Sequence, residues 1–367
     1  VSGAVRISPG AGHGAQSAPA DQAARLRLLM GGTLGGGTPA GQDQRSTGGQ
    51  EALAVEREGL QWPSERTQTL GPKVICVTSG KGGVGKSNLA VNLCVVLAGA
   101  GARTLLIDLD LGLANADVLC GLSPRSRLDA NLEAGTPLHE LAVDAPGGFK
   151  LIAGSVGLGR LTELPEDQRR RLLHAARGLS GACDVLVLDT GAGIGPMVRQ
   201  AAASADVTLL VATPEPTSIA DAYALVKGLW QQSRRTGTAL RVPRLVVNQV
   251  SGADEAREVH GRISAVAQRF LGTGVTLAGW VPTDVRVGQS VRARIPFAIA
   301  HPNAPASAAV ELLGKSLRDE LLPGRAAAVL ANGSVGASAT RGQPPGGYAG
   351  DRAGVLSKLG RLLAGRV

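Results

Sequence analysis

The chain has 367 residues, with 38 Lys or Arg against 29 Asp or Glu, a net charge of +9 and only 2% aromatic residues. That length suits one large α/β domain with tails, and the core must rest on Val, Leu, Ile and Ala. Four scattered cysteines, Cys76, Cys94, Cys120 and Cys183, form no C-x-x-C pair, which argues against zinc, iron–sulfur and disulfide chemistry and for reduced core thiols in a cytoplasmic protein.

No apolar run reaches the ~18 residues that a membrane span needs, and no signal-peptide core leads the chain. Residues 1–70 carry six Arg against six Asp or Glu, whereas residues 322–367 carry six Lys or Arg against Asp351 alone. About half of the excess charge, +5 of +9, thus lies in a short tail. This suggests an anionic surface as the tail's partner rather than a nucleic-acid groove, with DNA binding through a basic face of the core domain as the alternative.

Residues 1–20 are Gly, Ala, Ser and Pro without a period and read as disordered. Asp21 then caps an expected helix on which Ala23, Leu26, Leu29 and Met30 share one face, with Gln22 and Arg27 beside them. This helix either docks on its own domain or recognises a partner. The Gly/Gln-rich stretch from 31 to about 50 sets it apart and favours a partner.

The folded domain is expected over 71–322. Val74 to Thr78 is short, apolar and β-branched, as a buried parallel strand should be. Residues 79–88 follow as Ser-Gly-Lys-Gly-Gly-Val-Gly-Lys-Ser-Asn, and Asn88 to Ala100 continues at helical spacing. Gly80 through Ser87 fit the phosphate-binding pattern G-x-x-x-x-G-K-[ST]. In that turn Gly80, Gly82, Gly83, Val84 and Gly85 bring backbone N–H groups to phosphate oxygens, and the helix behind them adds its dipole. Lys86 can neutralise the β- and γ-phosphates, and Ser87 can ligate Mg²⁺. Lys81 is an additional cation that an ordinary loop of this kind does not need.

A second buried strand, Thr104 to Asp108, ends in two carboxylates, Asp108 and Asp110. Beyond a strand end they face the ligand crevice of an open α/β sheet, where carboxylates near triphosphate serve a metal or orient a water. The plainer alternative is a helix cap. Residues 149–154 form a further strand, and Pro165 to Gly178 a helix with Arg169, Arg170 and Arg171 on a solvated face.

Asp184 to Asp189 is an apolar strand ending in acid, which places Asp189 opposite Ser87 to hold Mg²⁺ through water. Gly191 and Gly193 lie in the flexible loop that follows, whose backbone can sense a γ-phosphate. Strands over 206–212, 245–248 and 278–281 come next, with helices opening at Pro216 and near Pro305. Glu215 has no separate chemistry at this level. Residues 323–353 form a flexible tether. In residues 354–367 the side chains of Val355, Leu356, Leu359, Leu362, Leu363 and Val367 share an arc of about 140°, as in an interfacial membrane helix. Docking of this helix on its own dimer is the alternative.

The form K-G-G-x-G-K-S around Lys81 resembles the deviant Walker A motif of the MinD/ParA class of ATPases. Three further strings narrow the resemblance. D-Q-A-x-x-L-R from Asp21, D-T-G-A-G-I from Asp189 and T-P-E-P-T-S-I-A-D-A-Y from Thr213 are similar to the flagellar-number ATPases of the FlhG (FleN, YlxH) type. The resemblance implies a doubly wound, mostly parallel sheet with helices on both faces, binding ATP with Mg²⁺. It implies that Lys81 reaches the nucleotide of a second subunit, so that ATP bridges a homodimer.

Asp108 would then act near the metal, and Asp110 would position the attacking water, with Lys81 and Lys86 assisting. Asn248 would meet the adenine edge, and the backbone near Pro282, with Asp284, would close over the base. Expected partners are an FlhF-type GTPase, stimulated by the N-terminal helix, and flagellar switch or C-ring proteins, on the inner face of the cell membrane. The rivals are a division-site or DNA-partitioning ATPase, which the flagellar-type strings oppose, and a redox or iron–sulfur assembly protein, which the absence of paired cysteines opposes.

Overall fold

The computed structural model describes residues 71–323, apart from 111, 156–163, 180 and 238. The expected partner helix with Asp21, Gln22, Ala23, Leu26 and Arg27 lies outside the described residues. So does the amphipathic stretch with Val355, Leu356, Leu359, Leu362 and Leu363.

The domain opens with β1 (Lys73–Ser79), α1 (Lys86–Gly99), β2 (Thr104–Leu109), α2 (Ala116–Leu119) and α3 (Leu128–Ala134). A 3-10 turn (Leu138–Leu141), β3 (Val143–Asp144), β4 (Lys150–Ile152), α4 (Glu166–Arg177), β5 (Val185–Ala192) and α5 (Pro196–Ser204) follow. Next come β6 (Val207–Ala212), α6 (Pro216–Thr236), β7 (Arg244–Val250) and α7 (Ala253–Leu271). The last elements are β8 (Thr276–Pro282), α8 (Val285–Ala293), α9 (Phe297–Ala300) and α10 (Pro305–Leu321).

The strands make one sheet in the order β3-β4-β2-β5-β1-β6-β7-β8. Every neighbouring pair is parallel except β3 with β4. This is the doubly wound α/β architecture expected from the sequence, with a short antiparallel hairpin at one edge.

The central strands are apolar throughout because both of their faces are covered. Along β1, Val74 and Cys76 join the core on one side, with Leu172, Val198, Leu225 and Ile263 of α4 to α7. Ile75 and Val77 join the other side, with Leu93 and Leu97 of α1 and Val310 and Leu317 of α10. All four cysteines are buried free thiols within these cores. No helix among the described residues is long and apolar enough to cross a membrane.

The order places the ends of β2, β5, β1, β6 and β7 side by side along the carboxyl edge of the sheet. The candidate residues after β1, β2, β5 and β7 are therefore neighbours, although they come from distant parts of the chain.

Candidate functional site

The glycine-rich turn joins β1 to α1. Gly85 stands at the N-terminus of α1 with φ 87°, and no side chain caps the helix there. Its first N–H groups are thus left to a ligand, as an anion site requires. A side chain at position 85 would also collide with Asn248, whose Nδ2 lies 2.3 Å from where a Cβ would stand.

Gly80 is constrained by packing instead. A Cβ there would lie 2.2 Å from the Asp221 carbonyl oxygen of α6. Gly80→Ala should therefore push α6 away and destabilise the domain by about 1–3 kcal/mol, which equilibrium urea unfolding without nucleotide would read. Unchanged stability would mean that α6 yields at no cost.

Lys86 is almost buried, and its Nζ lies 2.7 Å from Asp189 Oδ1 and 3.3 Å from Ser87 Oγ. Burial pushes the Asp189 carboxyl up from its ordinary value, and the Lys86 ammonium pulls it back down. Asp189 Oδ2 is buried and has no hydrogen-bond partner among the described residues. An orphaned carboxylate oxygen near a serine hydroxyl fits a hard cation such as Mg²⁺. Ser87 and Asp189 are the residues that would hold it.

Asp108 is the Cα partner of Asp189 across β2 and β5. Its Oδ1 accepts the Asp110 N–H at 3.0 Å, and its Oδ2 accepts those of Asn115 at 3.0 Å and Ala116 at 3.1 Å. Both oxygens therefore hold the loop that leads into α2. Burial first, and then the neighbouring Asp189 charge, push the Asp108 carboxyl up, against the backbone donors. Asp108 lies where the sequence placed it, but its immediate work is to shape this loop.

Asp110 accepts the Leu113 N–H at 3.1 Å. Its Oδ1 also faces Gly191, 3.5 Å from where a Cβ on that glycine would stand. β5 runs on through Thr190 and Gly191 to Ala192, so Gly191 is strand where the sequence suggested a flexible loop. Thr190 Oγ1 donates to the Val77 carbonyl at 3.3 Å and, just beyond the strand, Gly193 N–H donates to that of Ser79 at 2.8 Å. Asp110, Gly191 and Gly193 thus meet beside the glycine-rich turn.

On the base side, Asn248 Nδ2 donates to the Val84 carbonyl at 2.8 Å, bracing the turn from β7. The amide donor expected at an adenine edge is engaged here by the chain itself. Pro282 ends β8, and Thr283 N–H donates to the Val250 carbonyl at 2.9 Å. Asp284 caps α8. Its Oδ1 accepts the Arg286 N–H at 3.0 Å and its Oδ2 that of Ala306 at 3.5 Å, so it ties α8 to the start of α10.

Sequence reasoning missed the partner of Lys81. Its Nζ lies 2.6 Å from Glu215 Oε2 and 2.9 Å from Thr217 Oγ1, at the junction of β6 and α6. Glu215 directly precedes α6, in the connection that follows β6, the strand neighbouring β1, so the sheet order carries the signal that local pattern lacks.

A model of the CobQ/CobB/MinD/ParA nucleotide binding domain matches residues 75–297. The chain is 37% identical to the antiactivator FleN of Pseudomonas aeruginosa, over 68% of this chain and 88% of that protein. It is 33% identical to the flagellum site-determining protein YlxH of Helicobacter pylori, over 54% of this chain and 65% of that protein. Among solved structures, the septum site-determining protein MinD of Pyrococcus horikoshii, complexed with Mg-ADP, superposes with a TM-score of 0.57. That match has 21% identity over 69% of this chain and 98% of that one, and it shows the shared fold.

Proposed function

The chain belongs to the CobQ/CobB/MinD/ParA nucleotide-binding family, as a MinD-like ATPase related to FleN and YlxH, and from that premise we propose a flagellar switch driven by ATP hydrolysis. The observation that carries this reading is the pair of lysines on one turn. Lys86 is buried against Asp189, and Lys81 is more than a third exposed on the outer side.

The triphosphate of ATP would lie on the turn, against the free N–H groups at the start of α1. Lys86 would leave Asp189 for the β- and γ-phosphates, as its long stem permits. Mg²⁺ held by Ser87 and Asp189 would neutralise phosphate charge. Asp110 would orient the attacking water, with Gly191 backing its carboxylate and the loop at Gly193 registering the γ-phosphate. Lys81 would exchange Glu215 and Thr217 for the nucleotide of a second subunit, making ATP the bridge of a homodimer. Asn248 and the backbone at Pro282 would flank the adenine.

The remaining parts of the proposal rest on sequence. Residues around Asp21–Arg27 would stimulate an FlhF-type GTPase, and flagellar switch or C-ring proteins would be further partners. Residues 354–367 would hold the protein on the inner face of the membrane, weakly as one copy and well as two through avidity. Control of flagellar number or placement agrees with what FleN and YlxH are named for.

Sedimentation with Mg²⁺-ATP tests the central claim. Lys81→Ala should stay monomeric at concentrations where the parent chain dimerises, while still binding nucleotide. An unchanged dimer fraction would remove Lys81 from the interface and the proposed bridge with it.

A further inference from the structure

Charged side chains on this domain mostly pair with their own neighbours. Arg170 with Glu166, Arg262 with Glu258 and Lys315 with Glu311 are pairs of this kind along single helices. Others, such as Arg125, Lys227 and Arg235, have no carboxylate partner among the described residues, and one surface sets such arginines beside exposed aliphatic side chains. From Val285 to His301 the chain carries Arg286, Arg292 and Arg294 and no carboxylate. Arg286 is 3.9 Å from the capping Asp284, whereas Arg292 and Arg294 have no carboxylate partner among the described residues.

Exposed aliphatic side chains lie among these arginines: Val285, Val291, Ile295 and Ile299. Val118 of α2 extends the surface. Gly121, just beyond α2, comes so near α8 that a Cβ on it would stand 3.0 Å from the Arg294 carbonyl oxygen. Arg294 ends α8 with φ 56°, the left-handed turn that brings Ile295 alongside the helix end. Of the ten large apolar side chains exposed among the described residues, four lie in residues 285–299 and a fifth, Val118, in the neighbouring α2. Clustered exposure of that kind marks a contact site.

We propose that the α2–α8–α9 surface docks an acidic amphipathic segment of a partner protein. Its carboxylates would meet Arg292 and Arg294, and its aliphatic face Val118, Val291 and Ile295. Guanidinium forks suit carboxylates because they donate two parallel hydrogen bonds. A bilayer fits less well, since interfacial helices set Trp, Phe or Leu opposite their cations. Residues 285–301 contain no Trp or Leu, and their one Phe, Phe297, is buried. The surface is also wired to the site, because α2 begins at Ala116, whose N–H is held by Asp108.

The test uses the full chain and a fluorescein-labelled synthetic peptide of about 16 residues with Leu and Glu at helical spacing. A second peptide with Lys in place of Glu is the control, and binding is read by fluorescence anisotropy. The acidic peptide should bind, and the Lys peptide should not. Arg292→Glu and Ile295→Ser should each weaken the acidic peptide about tenfold, with thermal unfolding and nucleotide affinity unchanged. Four results would overturn the proposal: no binding of the acidic peptide, equal binding by both variants, equal binding of the two peptides, or preference of the same arginines for phosphatidylglycerol vesicles. Self-association that Arg292→Glu abolishes would overturn it too, by making a second copy the occupant.

Discussion

Lys86→Ala is expected to abolish nucleotide binding and to lower the stability of the ligand-free chain by about 3–5 kcal/mol, because it strands a buried carboxylate. Lys86 is 7% exposed, and its partner Asp189, 2.7 Å away, is fully buried. Once the ammonium is gone, the charge on Asp189 has neither solvent nor cation. Equilibrium urea unfolding without nucleotide measures the loss, and titration with a fluorescent ATP analogue measures binding. Adding Asp189→Asn should return most of the stability and none of the binding. If Lys86→Ala alone is as stable as the parent chain, the pair contributes nothing to the ligand-free fold.

Asp110→Ala should retain ATP affinity and lose turnover by about 10²–10⁴, the usual effect of removing a group that handles the attacking water. The same carboxylate also accepts the Leu113 N–H, so disorder of its loop could reduce turnover by another route. Asp110→Asn separates the two, since an amide oxygen still accepts that hydrogen bond while the charge is gone. Steady-state phosphate release from both variants is the measurement. Equal loss assigns the effect to the carboxylate, whereas normal turnover in Asp110→Asn would leave Asp110 as a loop anchor only.

The central sheet was legible in the sequence because strands buried on both faces read as continuous apolar runs. Val74 to Thr78 and Val185 to Asp189 show this most clearly, each ending in a polar residue. The two-residue β3 and the four-residue helices α2 and α9 were not legible. Elements that short complete at most one period of any pattern.

Acids at strand and loop ends were ambiguous in a different way. Asp108 and Asp284 occupy positions where a ligand group belongs, yet backbone N–H groups engage their carboxylate oxygens, from the following loop for Asp108 and from α8 and the start of α10 for Asp284. Sequence cannot tell a ligand carboxylate from a capping one, because both follow the end of an element. Glu215 failed for a third reason. It lies 134 residues from Lys81, and only the adjacency of β1 and β6 brings the two together.

The contact between Gly80 and the Asp221 carbonyl bears on how genetic data from this protein should be read. In a screen for chains blind to nucleotide, substitutions at position 80 would score as strongly as substitutions at Lys86. The cause would be different, since any side chain at 80 displaces α6, the helix whose first turn carries Thr217 and is preceded by Glu215. Such alleles would lose the resting contacts of Lys81 together with the shape of the turn. Suppressors that restore them should map to the first two turns of α6, around Asp221, and not to the rim where phosphate would lie.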